Sequence, residues 1–424
     1  MTEKLLQFIW QHQYFNTQDL YTLDNEPVKI LHPGKLNHHQ GPDFSNARIQ
    51  IGDTIWVGQV ELHLLSSHWN VHKHADDPHY QNVILHVVWK TDCTLQINFP
   101  EIALQHRIPG IMLQQYVDWM NTGNTIPCAA SLHLVPDIIW KAWEERMMVE
   151  RLEARYNDLL DTLQQNQFNW EEAFWWRLAH LFGGTVNAAA FEVMAQSIPF
   201  NLLAKHNHQY HQIEALLFGQ AGLLERNFSE KYPQMLQKEY RFLQKKYALT
   251  ASTLPIQLLR MRPQGFPTVR LAQLAMLIHL QLNVFASILK IESLEALENL
   301  LSVTANDYWN DHFLLDERTV FQQKKIGKQM VHKIIINAVV PFLFAYGKFY
   351  QKESIKEKAI AWLLQLPAEK NNITELYKSA NIACTSAAST QAILTLHQTY
   401  CMHKRCLDCA IGNSILKRTI AIGK

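Results

Sequence analysis

The sequence predicts an α+β N-terminal domain built on a mixed sheet, followed by a large all-α domain. Three observations carry this. Short runs rich in β-branched and aromatic residues fill the stretch from Val28 to about Ala103. Apolar residues recur at three- and four-residue spacing almost everywhere after Ile138. Between them, NTGNTIPCAASLHLVPD has the Gly, Pro and Asn content of a linker. The expected domains are 1–121 and 138–424.

The first element is an amphipathic helix over 2–15, with Leu5, Phe8, Ile9 and Tyr14 on one face and Thr2 as cap. Strands are expected at PVKILH, ARIQIG, IWVGQVELHLL, NVILHVVW and LQINF, divided by Pro-Gly, Gly-Asp and Asp-Asp turns. SSHWNVHKHADDPHYQ, between the third and fourth, suits a short helix or an ordered loop, because Pro78 opposes one long helix. In the second half, IIWKAWEERMMVERLEARYNDLLDTLQ opens a series of helices continuing near 212–225, 239–247, 269–289, 293–301, 325–350 and 390–401. No fixed-period repeat supports a solenoid.

Bulk properties exclude several classes. The chain has 424 residues, 48% of them hydrophobic, enough for a sizeable core. A net charge of +1 gives no global basic field for nucleic acid, though local patches remain open. No apolar run reaches the roughly 18 residues of a membrane helix. The opening MTEKLLQFIWQHQYF lacks the marks of a signal peptide, so a cytoplasmic location without membrane contact is expected. There the six cysteines act as buried thiols or metal ligands rather than disulfides.

Of 21 histidines, nine fall between His32 and His86, which marks the N-terminal region for chemistry. Alternation puts Glu61 and His63 on one face of their strand. If that strand and the preceding one form a hairpin around Gly52-Asp53, Asp43 becomes the neighbour of Glu61. Two adjacent carboxylates repel when ionised, and a divalent cation relieves that. Hard cations such as Mg²⁺ take carboxylates, water and phosphate as ligands. The alternative is a turn aspartate and a solvated glutamate. His72 and His74 alternate in WNVHKHADD, with Asp76 following, and suit an additional polar site of mixed His/carboxylate donors or an ordinary polar loop.

Cys401, Cys406 and Cys409 form C-x4-C-x2-C, with Cys384 sixteen residues upstream of Cys401. Such thiols suit zinc or an iron–sulfur cluster, with Cys384, His397 or His403 as a fourth ligand. Cys93 and Cys128 are isolated and suit small core positions. Arg260, Arg262 and Arg270 surround a Pro/Gly-rich turn and suit phosphate contacts or structural pins. Lys324, Lys325, Lys328 and Lys333 make a basic face.

With this order of elements, Pro42-Asp43 opening a strand and Glu61-x-His63 ending the next, the N-terminal region resembles the PD-(D/E)XK nuclease core. The resemblance covers about 90 residues. It implies that Asp43 and Glu61 bind Mg or Mn and that the residue two after the glutamate activates water. In the family that residue is lysine; here it is His63, which leaves open whether catalysis persists. Some nucleases of that superfamily carry a cysteine-ligated iron–sulfur cluster, with different cysteine spacing. Over nearly its whole length, through GPDFSNARIQI, VELHLLSSHWNVHKH, EALLFGQAGLL, LRMRPQGFPTVRLAQLA and CMHKRCLDCAIG, the chain resembles an uncharacterised bacterial family of the Bacteroidetes lineage, domain of unknown function 2851. That family brings no activity with it. Three functions stay open: a metal-dependent nuclease-like protein with catalytic Asp43, Glu61 and His63; a non-catalytic nucleic-acid or protein interaction module; and a metal hydrolase based on His63, His72 and His74.

Overall fold

The computed structural model describes residues 1–74, 77–250, 254–258 and 265–422. Helix α1 (Glu3–His12) starts where the Thr2 side chain accepts the Leu5 N–H, and buries Leu5, Leu6, Phe8, Ile9 and Trp10. It stops short of the expected end because Gln13 turns into the left-handed region at φ 51°.

The sheet follows: β1 (Val28–His32), β2 (Lys35–Leu36), β3 (Phe44–Ile51), β4 (Thr54–Leu65), β5 (Val83–Lys90) and β6 (Glu101–Ala103). Its order is β1-β3-β4-β5-β6, with β2 pairing on β3. β3 and β4 form the expected hairpin, with Ile51 opposite Thr54 and Phe44 opposite Val60. β4 then pairs parallel with β5, and β5 parallel with β6. The crossover from β4 to β5 holds the short helix α2 (His68–Val71) and a 3₁₀ turn at Pro78–Tyr80. Gly58 on β4 is required by close approach, since a Cβ there would lie 2.4 Å from Ile84 Cγ2 and 2.7 Å from Asn82 O.

One expected strand is corrected. LQINF is irregular, and the edge strand is Glu101–Ala103 instead. Phe99 turns onto Trp69 at 5.0 Å, and the Pro100 carbonyl accepts the His86 N–H, so ladder pairing begins only at Glu101.

Beyond α3 (Gly110–Asn121) the chain is mostly helical, beginning with α4 (Asp137–Gln165). The expected helix over 269–289 is two, Pro267–Leu280 and Val284–Lys290. Residues 328–349 form a continuous helix with a π turn at Ile335–Val339. By length and composition it is apolar enough to cross a membrane, and 72% of its apolar window is buried inside the protein. Gly219, in EALLFGQAGLL, lies where a Cβ would strike the Tyr240 ring, so the small residues there serve packing. Trp175 and Phe182 are buried core. A two-stranded ribbon at His312–Leu314 and Glu317–Arg318 was not expected from the sequence.

The chain divides into two compact units. One comprises 1–145, 375–382 and 394–424; the other 146–374 and 383–393. The C-terminal cysteines Cys401, Cys406 and Cys409 therefore belong to the unit that contains the sheet, where sequence reading had joined them to the helical domain 138–424.

Candidate metal centre

The strand registers build a row of polar residues across four strands. Asp43 immediately precedes Phe44, the partner of Val60, and so faces Glu61. Glu61 pairs with His86, and His86 with Glu101. The two acids meet as expected, but through a bulge between Phe44 and Ala47 that shifts the hairpin pairing by one residue. The Asp43 N–H donates to Glu61 Oε2 at 3.0 Å, and the Leu62 N–H to Asp43 Oδ2 at 3.1 Å. From α1, the Gln7 amide donates to Asp43 Oδ1 at 2.7 Å.

Burial raises the Asp43 carboxyl to about 6 and the Glu61 carboxyl to about 9, and for Glu61 the charge of Asp43 adds to it. No lysine or arginine counters either one among the described residues. The pair is thus a place of unbalanced negative charge, which protons or a cation must fill.

The remaining face of Glu61 meets histidines. Its Oε1 lies 3.5 Å from His63 Nε2 and 3.4 Å from His74 Nε2. His63 Nε2 is 3.1 Å from His72 Nδ1. One ligand atom from each of His63, His72 and His74 lies within 4.8 Å of the others. His63 is buried, His74 mostly covered, and His72 exposed.

The orientation of His63 follows from a chain of hydrogen bonds. Ser66 Oγ donates to Glu101 Oε1 at 2.6 Å, and Glu101 Oε2 lies 2.8 Å from His86 Nδ1. A carboxylate there requires His86 Nδ1 to carry the proton, which leaves His86 Nε2 as an acceptor. His63 Nδ1, 2.9 Å away, must then donate to it. His63 Nε2 is left with its lone pair aimed at Glu61, His72 and His74. The chain has the form of the carboxylate–histidine relays that orient metal-binding imidazoles in metalloproteins. Burial, reinforced by the surrounding histidines, lowers His63 to about 2 and His74 to about 4. Both are neutral at physiological pH, the form a metal requires. Trp69 walls the cluster, with ring centroids 5.2 Å from His74 and 5.4 Å from His86, and Tyr80 stacks on His74 at 3.9 Å.

Sequence reading found Asp43, Glu61, His63, His72 and His74. His86 is buried, and its partner Glu101, which nothing in the sequence singled out, completes the relay. Asp76, Arg260 and Arg262 lie outside the described residues. Arg270, on the helix Pro267–Leu280, belongs to the second unit.

The sheet-bearing unit holds a second donor set. Cys401, Cys406 and Cys409 lie near enough to Cys128, which precedes the 3₁₀ turn Ala129–Leu134, for their charges to act on it. Burial, and then the other thiols of the group, pushes Cys128 up, and the same causes bring Cys406 to about 12. Cys409 also rises to about 12, against the backbone N–H groups of Ile411 and Gly412, which favour its thiolate. Tyr377 Oη lies 3.3 Å from Cys401 Sγ. A Cβ on Gly412 would stand 2.3 Å from Cys406 O, so glycine lets the final helix close on the Cys406–Cys409 turn. Cys384, the expected fourth member, lies in the other unit. His403 is exposed, and His397 is buried beside Tyr377, ring centroids 5.9 Å apart.

Residues 3–372 match the family model described as protein of unknown function (DUF2851), and the chain belongs to that family. No curated protein and no solved structure matches it.

Proposed function

We propose that the sheet-bearing unit is a metal-dependent hydrolase of phosphodiester bonds in DNA or RNA, nuclease-like in its core. The observation that carries this reading is the buried, cation-free pair Asp43 and Glu61, with the lone pair of His63 Nε2 aimed at the same glutamate. A divalent cation bound there supplies an acidified water and stabilises the leaving oxygen. Glu61 is the shared ligand, and Asp43 faces it across the hairpin. His63, held by His86 and Glu101, acts as a ligand rather than as a copy of the superfamily's lysine: it is 1% exposed and remote from bulk water. His72, the exposed member, closes the set towards solvent. Three imidazoles beside a carboxylate favour Mn²⁺ or Zn²⁺ over Mg²⁺. This draws the expected nuclease site and the expected histidine site into one centre.

Cys128, Cys401, Cys406 and Cys409 form a separate structural site for zinc or an iron–sulfur cluster. Three buried thiols and a half-buried fourth, which repel one another as thiolates, gain most from a cation that binds them deprotonated. Metal and acid-labile sulfide analysis of the purified protein decides between the two. Loss of the bound metal in Cys128→Ser, with retention in Cys384→Ser, is the expected pattern.

The activity is tested by cleavage of labelled single- and double-stranded DNA and RNA in Mn²⁺, Mg²⁺ or EDTA. Metal-dependent cleavage that falls at least ~100-fold in both Asp43→Asn and Glu61→Gln is expected. Well-folded, metal-loaded protein that cleaves nothing returns the chain to a binding module on a degenerate core.

A further inference from the structure

The helical unit contains a cavity of about 670 Å³ whose lining is basic. Arg270, Lys324, Lys325, Lys328 and Lys333 all line it, with glutamines between them and no carboxylate among the described lining residues. For a chain of net charge +1, five cations around one space is a strong local concentration. The volume falls within the range of small-molecule sites, roughly 300–1,000 Å³.

Lys324 is the most telling of the five. It is 5% exposed, and its Nζ is buried with no hydrogen-bond partner. The ammonium sits 3.8 Å from the centroid of Phe313, another lining residue, which offsets part of its desolvation. Its backbone is pinned, since the buried Gln273 amide donates to the Lys324 carbonyl at 3.1 Å. A buried ammonium without acceptors is costly unless something brings them. Lys333 tells the same story: burial, then the charge of Arg270, lowers its ammonium. Asp311 acts on Lys324, Glu369 on Lys333 and Glu298, 3.9 Å away, on the exposed Lys328, and Glu369 already accepts the Gln391 amide at 2.5 Å. Lys328 opens the long helix 328–349, whose positive end adds to the field.

We infer that this cavity binds the phosphate groups of a nucleotide, free or at the 5′ end of a nucleic-acid strand. Clustered lysines with one arginine suit the several oxygens of a phosphate chain, each ammonium taking separate oxygens and the guanidinium gripping two. The basic run around 324–333 is then the lining of a site rather than a solvated face. The inference stands apart from the metal centre, whose residues lie in the other unit.

Binding of tripolyphosphate, ATP, and 5′-phosphorylated or 5′-hydroxyl oligonucleotides is measured by calorimetry and fluorescence anisotropy in the full-length protein at physiological salt. The expected result is binding of triphosphate, of the 5′-phosphorylated strand, or of both. Lys324→Met weakens it ~10-fold or more, and Lys328→Gln, an exposed change that spares the fold, weakens it about threefold. Lys238→Gln, on the helix Lys231–Tyr247, leaves it unchanged. Triphosphate alone assigns a free nucleotide, and the phosphorylated strand alone assigns a strand end. Absence of binding by every probe, equal affinity for phosphorylated and hydroxyl strands, or wild-type affinity in both lining variants overturns the inference.

Discussion

Glu61 and Glu214 are both buried glutamates with raised carboxyls, yet they are built for different ends. Glu214, in the helical unit, is wholly buried, and neutral donors surround it: the Tyr232 hydroxyl, the Trp309 indole at 2.5 Å and the Asn306 amide at 3.1 Å. Burial raises it to about 7, while those donors pull it down. Glu61 instead faces a second acid, Asp43, and the imidazole nitrogens of His63 and His74. Burial of a carboxylate does not by itself mark a site. What distinguishes the two is the partner set: Glu214 is surrounded by neutral donors, whereas Glu61 meets a second acid and imidazole nitrogens.

The largest expected difference between them is in stability. Glu214→Ala strands several buried donors and costs about 3 kcal/mol or more. Glu61→Gln spares the cost of keeping a buried carboxyl protonated at neutral pH, so the metal-free protein unfolds at the same denaturant concentration as wild type or a higher one. A large loss of metal-free stability in Glu61→Gln would make Glu61 a second Glu214.

Next is the relay. Glu101→Gln presents an amide N–H to His86 and reverses its tautomer, and with it that of His63, so a proton occupies Nε2. Divalent-metal affinity then falls 10- to 100-fold. Titration calorimetry reads it, and unchanged affinity would break the relay.

The pH dependence is smaller. A folded-state value above the ordinary 4.5 means that the fold tolerates the protonated carboxyl. The stability is therefore full below about pH 4.5. It is lost as pH rises through about 6 for Asp43, about 7 for Glu214 and about 9 for Glu61. His63 and His74, held neutral by the fold, gain stability up to their ordinary 6.5 and offset part of this loss, so the net loss of metal-free stability falls between about pH 6.5 and 9. Mn²⁺ flattens the part contributed by Asp43 and Glu61, leaves that of Glu214, and stabilises more at pH 8 than at pH 6, because the metal displaces protons. A Mn²⁺ effect independent of pH would separate the acids from the metal.

The smallest effect on folding belongs to His72→Ala. An exposed imidazole contributes under about 0.5 kcal/mol. Its loss still lowers metal affinity, and a variant with unaltered affinity would leave a centre of Glu61, His63 and His74 alone.

The hairpin made much of this legible in the sequence. A two-residue turn at Gly52-Asp53 would by itself set Asp43 opposite Leu62; a bulge between Phe44 and Ala47 shifts the pairing by one residue and brings Asp43 to Glu61, with His63 on the same face by alternation. His72 and His74 were visible as residues, but their convergence depends on how a short crossover folds back. The relay was not legible. Glu101 reaches His86 only through parallel pairing of an edge strand that begins at Pro100, after a stretch whose alternation resembles a strand and is not one. Cys128 was hidden by distance in sequence, since spacing motifs report neighbours along the chain and the fold supplied the distant thiol. The basic run 324–333 was read as a solvated face because nothing local announces that Lys324 is buried.

The most direct test of the metal centre is an anomalous difference map from crystals of the protein soaked in Mn²⁺. A peak bounded by Glu61 Oε1 and the His63 and His74 Nε2 atoms, and absent in Glu61→Gln crystals, is the predicted result. No peak at that position in well-occupied, metal-soaked crystals would contradict the account and leave Asp43 and Glu61 as a protonated structural pair.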